Sequence, residues 1–414
     1  MGDGAEGVLL VGPCPPPHGG VSVHVAGVRR ELVDAGVSCA LLNARPGAPA
    51  SDEYLRAGTA LGLVRAVARH GRRGWLVHTH INGHNPKSWL LALAAGIGGM
   101  TAPARVLTVH SGMAADHLGS GGTAPLLARL VCRLHDRVIC VNDEIRRAIA
   151  AAGVPAERLR VLAAAAPRRR APVELPVSLA RWVRERTPLL SATLAFEPEY
   201  RFDLLAGAVA VLRHDHPAIG CVVMGSGSGE AQARALIAGS GLESAVRLTG
   251  DVDHDTCLQL IAESDLFVRP NDRDGDALSV REALTLGVPV VASDVGSRPP
   301  EAILFAAGDF QALLAAVRRA LAGAGRRSGI GGGRRPQQEE AGRVQPPLEP
   351  AASLPIAAEP AASLALAQLG SRPSAADSVT MNELLSLYRE LAGLRDLRPA
   401  GTVPRSAWSG RSSA

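Results

Sequence analysis

The sequence predicts an α/β protein of two successive halves, each a parallel β-sheet covered on both faces by helices. Three observations carry this. Short apolar runs alternate with longer amphipathic stretches from Val8 onward. The segments after those runs are rich in Gly, His and Asn. The alternation breaks at Pro167–Pro176, where three prolines and a run of arginines interrupt it, and then resumes. Buried strands alternating with helices form parallel sheets, and such sheets take ligands beyond the carboxyl ends of their strands.

In chain order, VLLVG (Val8 to Gly12) reads as a strand ending in glycine. VSVHVAGVRRELVDAG follows with helical spacing, and Gly36 closes it as a C-cap. CALLN, WLVHTH, RVLTVH and RVICV recur as short strands, each with a helix-like segment behind it. Their ends, at Gly12–Gly20, His78–Asn85, His110–Gly112 and Asn142–Glu144, make a polar edge suited to binding. The second alternation starts at LLSATLAF and includes CVVMGSGSG, AVRLTG, DLFVRP and VPVVASD. The expected organisation is an N-terminal domain over 1–172, a linker over 173–187 and a C-terminal domain over 188–322. Residues 323–377, with Pro, Gly and Ala abundant and EPAASL twice, are expected to be disordered. An amphipathic helix is expected over 378–396, before a loose tail at 397–414. Leu384, Leu387, Tyr388 and Leu391 share one face of it, so it should dock back on the folded body.

The composition narrows the function classes. Of 414 residues, 47% are hydrophobic and 20% charged, as in a globular protein. Aromatics are only 3%, so a surface that stacks nucleic-acid bases is not expected. The net charge of +5 allows contact with phosphates or with an anionic membrane face. Six cysteines lie singly among apolar residues with no CxxC pair, which argues against a disulfide framework or a zinc site and for reduced thiols in a cytoplasmic protein. No basic segment precedes an apolar one at the N-terminus, so no leader is expected. The longest uncharged run, Ser88 to Ala104, contains three glycines and a proline and reads as a buried helix too short to span a bilayer.

Two stretches carry chemistry. CVVMGSGSGEAQARALIAGSG is a strand, a turn with glycines at 225, 227 and 229, and a helix. Such a turn lets backbone N–H groups approach a phosphate at a helix N-terminus. Its spacing is G-x-G-x-G, not the dinucleotide fingerprint G-x-G-x-x-G, and no acid follows at the place a ribose needs one. The second stretch, DGDALSVREALTLGVPVVASD, sets Asp274 and Glu282 eight positions apart around a helix start. Ser279-Val-Arg-Glu282 fits a capping box that needs no ligand. Alternatively, both carboxylates accept from the hydroxyls of a polyhydroxylated ligand.

In order along the chain, PHGGVSVHV, TVHSG, VICVNDEIRRAIAAAGVPAERLRVL, VVMGSGSGEAQARALIAGSGLESAVRLTGDV and DGDALSVREALTLGVPVVASDVGSRPPE resemble the family 4 (group 1) glycosyltransferases. The resemblance covers about Val8 to Ala322 and extends to the helix near Tyr388. It implies a GT-B fold, in which two Rossmann-like domains face across a cleft. It further implies a retaining, metal-independent transfer from a UDP- or GDP-sugar, with no cofactor. The acceptor would be a glycan, a lipid-linked glycan or a small molecule, and the setting would be cell-surface polysaccharide or glycoconjugate synthesis at the cytoplasmic membrane face. By the same resemblance, Glu282 binds the ribose and Asp274 stands by the transferred sugar. His110 bonds that sugar, Gly225 and Gly227 lie near the nucleotide, Gly19 and Gly20 line the cleft, and Glu301 lies near the donor.

This chain departs from the family pattern at several points. Asp274 stands where the family usually has Glu, and Asp276 and Ala277 replace an aromatic residue and a glycine. SATLAFEPEYRFDLL lacks the basic pair that usually holds the diphosphate, which leaves Arg201, Arg269 and Arg281 as substitutes. A catalytically degenerate binding scaffold and a nucleotide-sugar epimerase of the same fold remain alternatives.

Overall fold

The computed structural model describes residues 4–164, 172–327 and 375–393. The first sheet contains β1 (Gly7–Gly12), β2 (Cys39–Asn43), β3 (Leu55–Arg56), β4 (Trp75–Ile81), β5 (Arg105–Val109), β6 (Arg137–Cys140) and β7 (Leu159–Val161). Its spatial order is β3-β2-β1-β4-β5-β6-β7, and every pairing is parallel. The second sheet contains β8 (Leu189–Thr193), β9 (Gly220–Met224), β10 (Val246–Gly250), β11 (Leu266–Arg269), β12 (Val290–Ser293) and β13 (Ile303–Phe305). Its order, β10-β9-β8-β11-β12-β13, is again wholly parallel. Each order reverses direction once, between β1 and β4 and between β8 and β11. Loops leave in opposite directions at such a point and open a crevice.

Helices cover both faces, so the central strands are apolar throughout. All six residues of β1 and all five of β9 are buried. The helix Gly20–Asp34 turns Val25, Val28 and Leu32 inward at helical spacing. Gly36 N–H donates to Val33 O beyond its end, as the sequence suggests. Pro86–Gly98, within the long uncharged run, is a helix that buries Trp89, Ala92 and Ala95. Among the described residues no helix is long and apolar enough to cross a membrane.

Two boundaries differ from expectation. The stretch read as linker, 173–187, holds a helix, Val177–Arg184. Its Leu179 and Val183 lie four apart on one face and pack with Leu189, Val222 and Phe267, which makes it part of the C-terminal domain. The low-complexity segment lies outside the described residues over 328–374. Its expected start, however, falls within the helix Phe310–Arg327. The tail expected at 397–414 also lies outside them.

The last helix, Ala375–Ala392, packs on the N-terminal domain. Met381, Leu384, Leu385, Leu387 and Tyr388 join Leu10, Leu32 and Leu76 in one buried cluster. Tyr388 is fully buried, and its hydroxyl meets His78 Nδ1 at 2.5 Å. All six cysteines are free, and four of them are buried.

Candidate functional site

The two sheet reversals face one another across a cavity of about 490 Å³. On the N-terminal side, the loop after β1 leads to Gly19, which starts the helix Gly20–Asp34 without a side-chain cap. First-turn N–H groups there are therefore available to an anion. No atom lies within 4 Å of where a Cβ would stand on Gly19 or Gly20, so the space above this helix start is open. His110, beyond β5, lines the same cavity, with its Nε2 3.1 Å from His80 Nδ1. Burial, reinforced by His24 and His78, holds His110 well below the usual imidazole range, so the ring is neutral near pH 7.

On the C-terminal side, the loop after β11 carries Asp274 into the cavity wall. Arg269 grips its carboxylate through Nε at 2.9 Å and Nη2 at 3.3 Å, and Arg298 Nη2 adds a bond at 3.1 Å. Burial works to raise the Asp274 carboxyl, but the two guanidiniums hold it below the ordinary aspartate value. Arg269 also donates to Thr193 O at 2.6 Å and lies over the Tyr200 ring, 5.1 Å from its centroid.

Glu282 lies on the helix Leu278–Thr285, buried yet lining the cavity. The capping-box alternative does not hold. The N-cap is Ala277, without a side-chain bond, and Ser279 sits inside the first turn. Glu282 Oε1 instead meets His254 Nε2 at 2.7 Å, which leaves lone pairs on its other oxygen for a ligand.

Gly225 lines the cavity just beyond β9 with φ +126. A Cβ there would collide with the carbonyl oxygen of Leu194, so the turn requires glycine twice over. Gly227 is not part of the lining and packs against Ala195 and Phe196. The N–H and hydroxyl of Ser228, between the last two glycines, are taken by the Glu197 carboxylate at 3.1 and 2.9 Å.

The three arginines separate clearly. Arg269 is at the cavity, while Arg201 and Arg281 are not among its lining residues. Arg201 is committed to Asp203 and Asp272, and both 3.0 Å bonds from Arg281 Nε go to Asp276. Glu301 is exposed and also outside the lining. Sequence reasoning missed Arg298 and His254, which hold Asp274 and Glu282. No local pattern ties His254 to an acid 28 positions later, and Arg298 was visible only as a residue of SRPPE.

The domains touch along this cleft. His18 N–H and its Nδ1 meet the Asp251 carboxylate at 2.9 and 3.3 Å. Asn142 Nδ2 donates to Gly275 O at 3.0 Å, and Arg273 pairs with Asp116 at 2.9 Å. A Cβ on Gly275 would strike the carbonyl oxygen of His110, so this glycine lets the domains close. Two Rossmann-like domains whose reversal points share one cleft define the GT-B class.

The comparisons agree with that class. Residues 18–165 match the model described as Glycosyltransferase Family 4, and residues 187–323 match Glycosyl transferases group 1. The chain belongs to the family 4 (group 1) glycosyltransferases, with both domains represented. It is 29% identical over 208 residues to an exopolysaccharide phosphotransferase of Streptomyces coelicolor, covering 49% of this chain and 20% of that protein. It is 31% identical over 125 residues to the amylovoran biosynthesis glycosyltransferase AmsK of Erwinia amylovora, covering 27% and 30%. The chain thus spans less than a third of the length of either curated relative. Among solved structures, Anabaena HepE in complex with UDP superposes with a TM-score of 0.55 at 18% identity, covering 78% of this chain and 95% of that one.

Proposed function

We propose that the protein is a retaining glycosyltransferase that transfers a sugar from a UDP- or GDP-sugar to a glycan, lipid-linked or small-molecule acceptor, without a catalytic metal. The setting we propose is cell-surface polysaccharide or glycoconjugate synthesis at the inner membrane face, where a pI near 9.1 favours anionic lipids. One observation carries this reading. The stretch from Asp274 to Glu282 presents two carboxylates to a cleft whose opposite wall holds an uncapped helix start and a neutral histidine. The free oxygen of Glu282 accepts from a ribose hydroxyl. First-turn N–H groups after Gly19 and the guanidinium of Arg269 meet the diphosphate. His110 bonds the transferred sugar, beside which Asp274 stands and offsets developing positive charge. Relatives named for exopolysaccharide phosphotransfer and amylovoran biosynthesis, and the fold match to HepE, also solved with UDP-glucose, support the choice of substrate class.

The test is donor turnover. Purified protein is incubated with common nucleotide-sugars and broad acceptor mixtures, and nucleoside diphosphate release and product anomer are measured. No release from any donor overturns the proposal, and so does an inverted product. A second reading, a binding scaffold, draws on one observation: Arg269, Arg201 and Arg281 are all engaged by carboxylates. Donor binding without turnover would favour it. A product epimerised in the absence of acceptor would instead indicate an epimerase.

A further inference from the structure

We propose that His24, His80 and His110 form a three-histidine site for a divalent d-block cation such as Zn²⁺, with its open position toward the cleft. The three residues come from separate elements. His24 lies in the helix Gly20–Asp34, His80 near the end of β4 and His110 just beyond β5. One ring nitrogen from each lies within 4.8 Å of the other two. Their rings gather closely, with centroids 5.0, 5.4 and 5.6 Å apart.

An independent observation points to a ligand. His24 Nδ1 and His80 Nε2 are both buried and lack a hydrogen-bond partner, while His80 Nδ1 and His110 Nε2 meet at 3.1 Å, a contact that a cation between the rings would replace. A buried polar atom left unpaired is destabilising, and a bound cation would satisfy such lone pairs. Zinc holds imidazole nitrogens at about 2.0–2.1 Å, which sets tetrahedral ligands about 3.3 Å from one another. The trio needs to close by no more than about 1.5 Å to reach that spacing. Three histidines with no acid or thiol among them suit Zn²⁺, Co²⁺ or Ni²⁺ over Mg²⁺ or Ca²⁺. His24 and His110 line the cavity, which places the fourth position at the cleft.

The site stands on its own geometry. It needs none of the transfer chemistry proposed above, although His110 takes part in both. The ring nitrogen of His110 that holds a metal is then unavailable to the donor sugar.

The test uses tag-free full chain, stripped with chelator and dialysed against Zn²⁺ alone or Co²⁺ alone. About one ion per chain should remain, and the Co²⁺ form should show tetrahedral visible absorption without a sulfur charge-transfer band. His24→Gln and His80→Gln should each weaken binding by more than about tenfold, the loss that even an outer partner of a metal ligand can cause. No retained ion in the wild-type protein overturns the proposal, as does a thiolate band or unchanged affinity in both variants. Circular dichroism of the variants separates lost ligation from lost folding. UDP binding is read separately by thermal shift, so failure of the glycosyltransferase reading leaves the metal result interpretable.

Discussion

Asp274 receives three hydrogen bonds from two arginines, so its charge holds the C-terminal wall of the cleft together as well as lining the cavity. Asp274→Asn would leave two buried cations short of a partner, at an expected cost of about 3–5 kcal/mol in denaturant unfolding. A variant that loses activity but keeps full stability would show that the cluster is not a structural unit. Glu282 has one principal partner, His254, so Glu282→Gln should perturb folding less. Its loss of a charged acceptor should weaken UDP binding about tenfold or more by calorimetry. Unchanged affinity would remove its assigned role. Away from the cleft, burial lowers His135 from 6.5 to about 4. In the unfolded chain His135 takes up a proton below about pH 6.5, whereas in the folded state it resists until about 4. Its contribution to stability is therefore present above pH 6.5 and lost as pH falls through that window, by up to about 1.4 kcal/mol per pH unit. Urea midpoints between pH 7 and 4 check this against His135→Phe, which should flatten the slope.

At the scale of elements, the two glycine-bearing turns behave oppositely. Gly225→Ala forces a left-handed φ onto a side chain that collides with Leu194, and should cost about 1–3 kcal/mol or more in chemical unfolding. Gly20→Ala enters open space at a helix start and should change stability by less than about 0.5 kcal/mol. Any fall in its donor or acceptor KM performance then reports on the ligand itself. Both turns were legible from sequence because a strand, glycines and a helix are local signals. The capping box, an alternative equally local in the sequence, does not form. Ser279 lies within the helix, and Glu282 turns to His254, a partner supplied by the neighbouring helix His254–Ala262. The supposed linker hid a helix because the prolines at 167, 172 and 176 are conspicuous, while Leu179 and Val183 form a stripe only two residues wide.

Across the whole molecule, the chain crosses to the second domain and then returns through the helix Ala375–Ala392 to complete the first. Leu384→Ala on that helix should destabilise the N-terminal domain by about 2–5 kcal/mol. Hydrogen exchange of β1 and β4 would detect it, and protection unchanged in both strands would mean the helix is dispensable. The apolar period, the glycine-rich strand ends and the spacing of Asp274 and Glu282 were all fixed by residues near one another in sequence. For that reason the two parallel sheets, the docking helix and the cleft side of each half could be read directly. Which arginine reaches the cavity could not. Arg201, Arg269 and Arg281 are chemically alike, and their assignment depends on Asp272, Asp274 and Asp276 being delivered by one loop. The meeting of His24, His80 and His110 likewise depends on the helix Gly20–Asp34 packing against β1, β2 and β4. Hydrophobic periodicity encodes which face of an element is buried, whereas ion pairs and clustered side chains are set by how those faces come together.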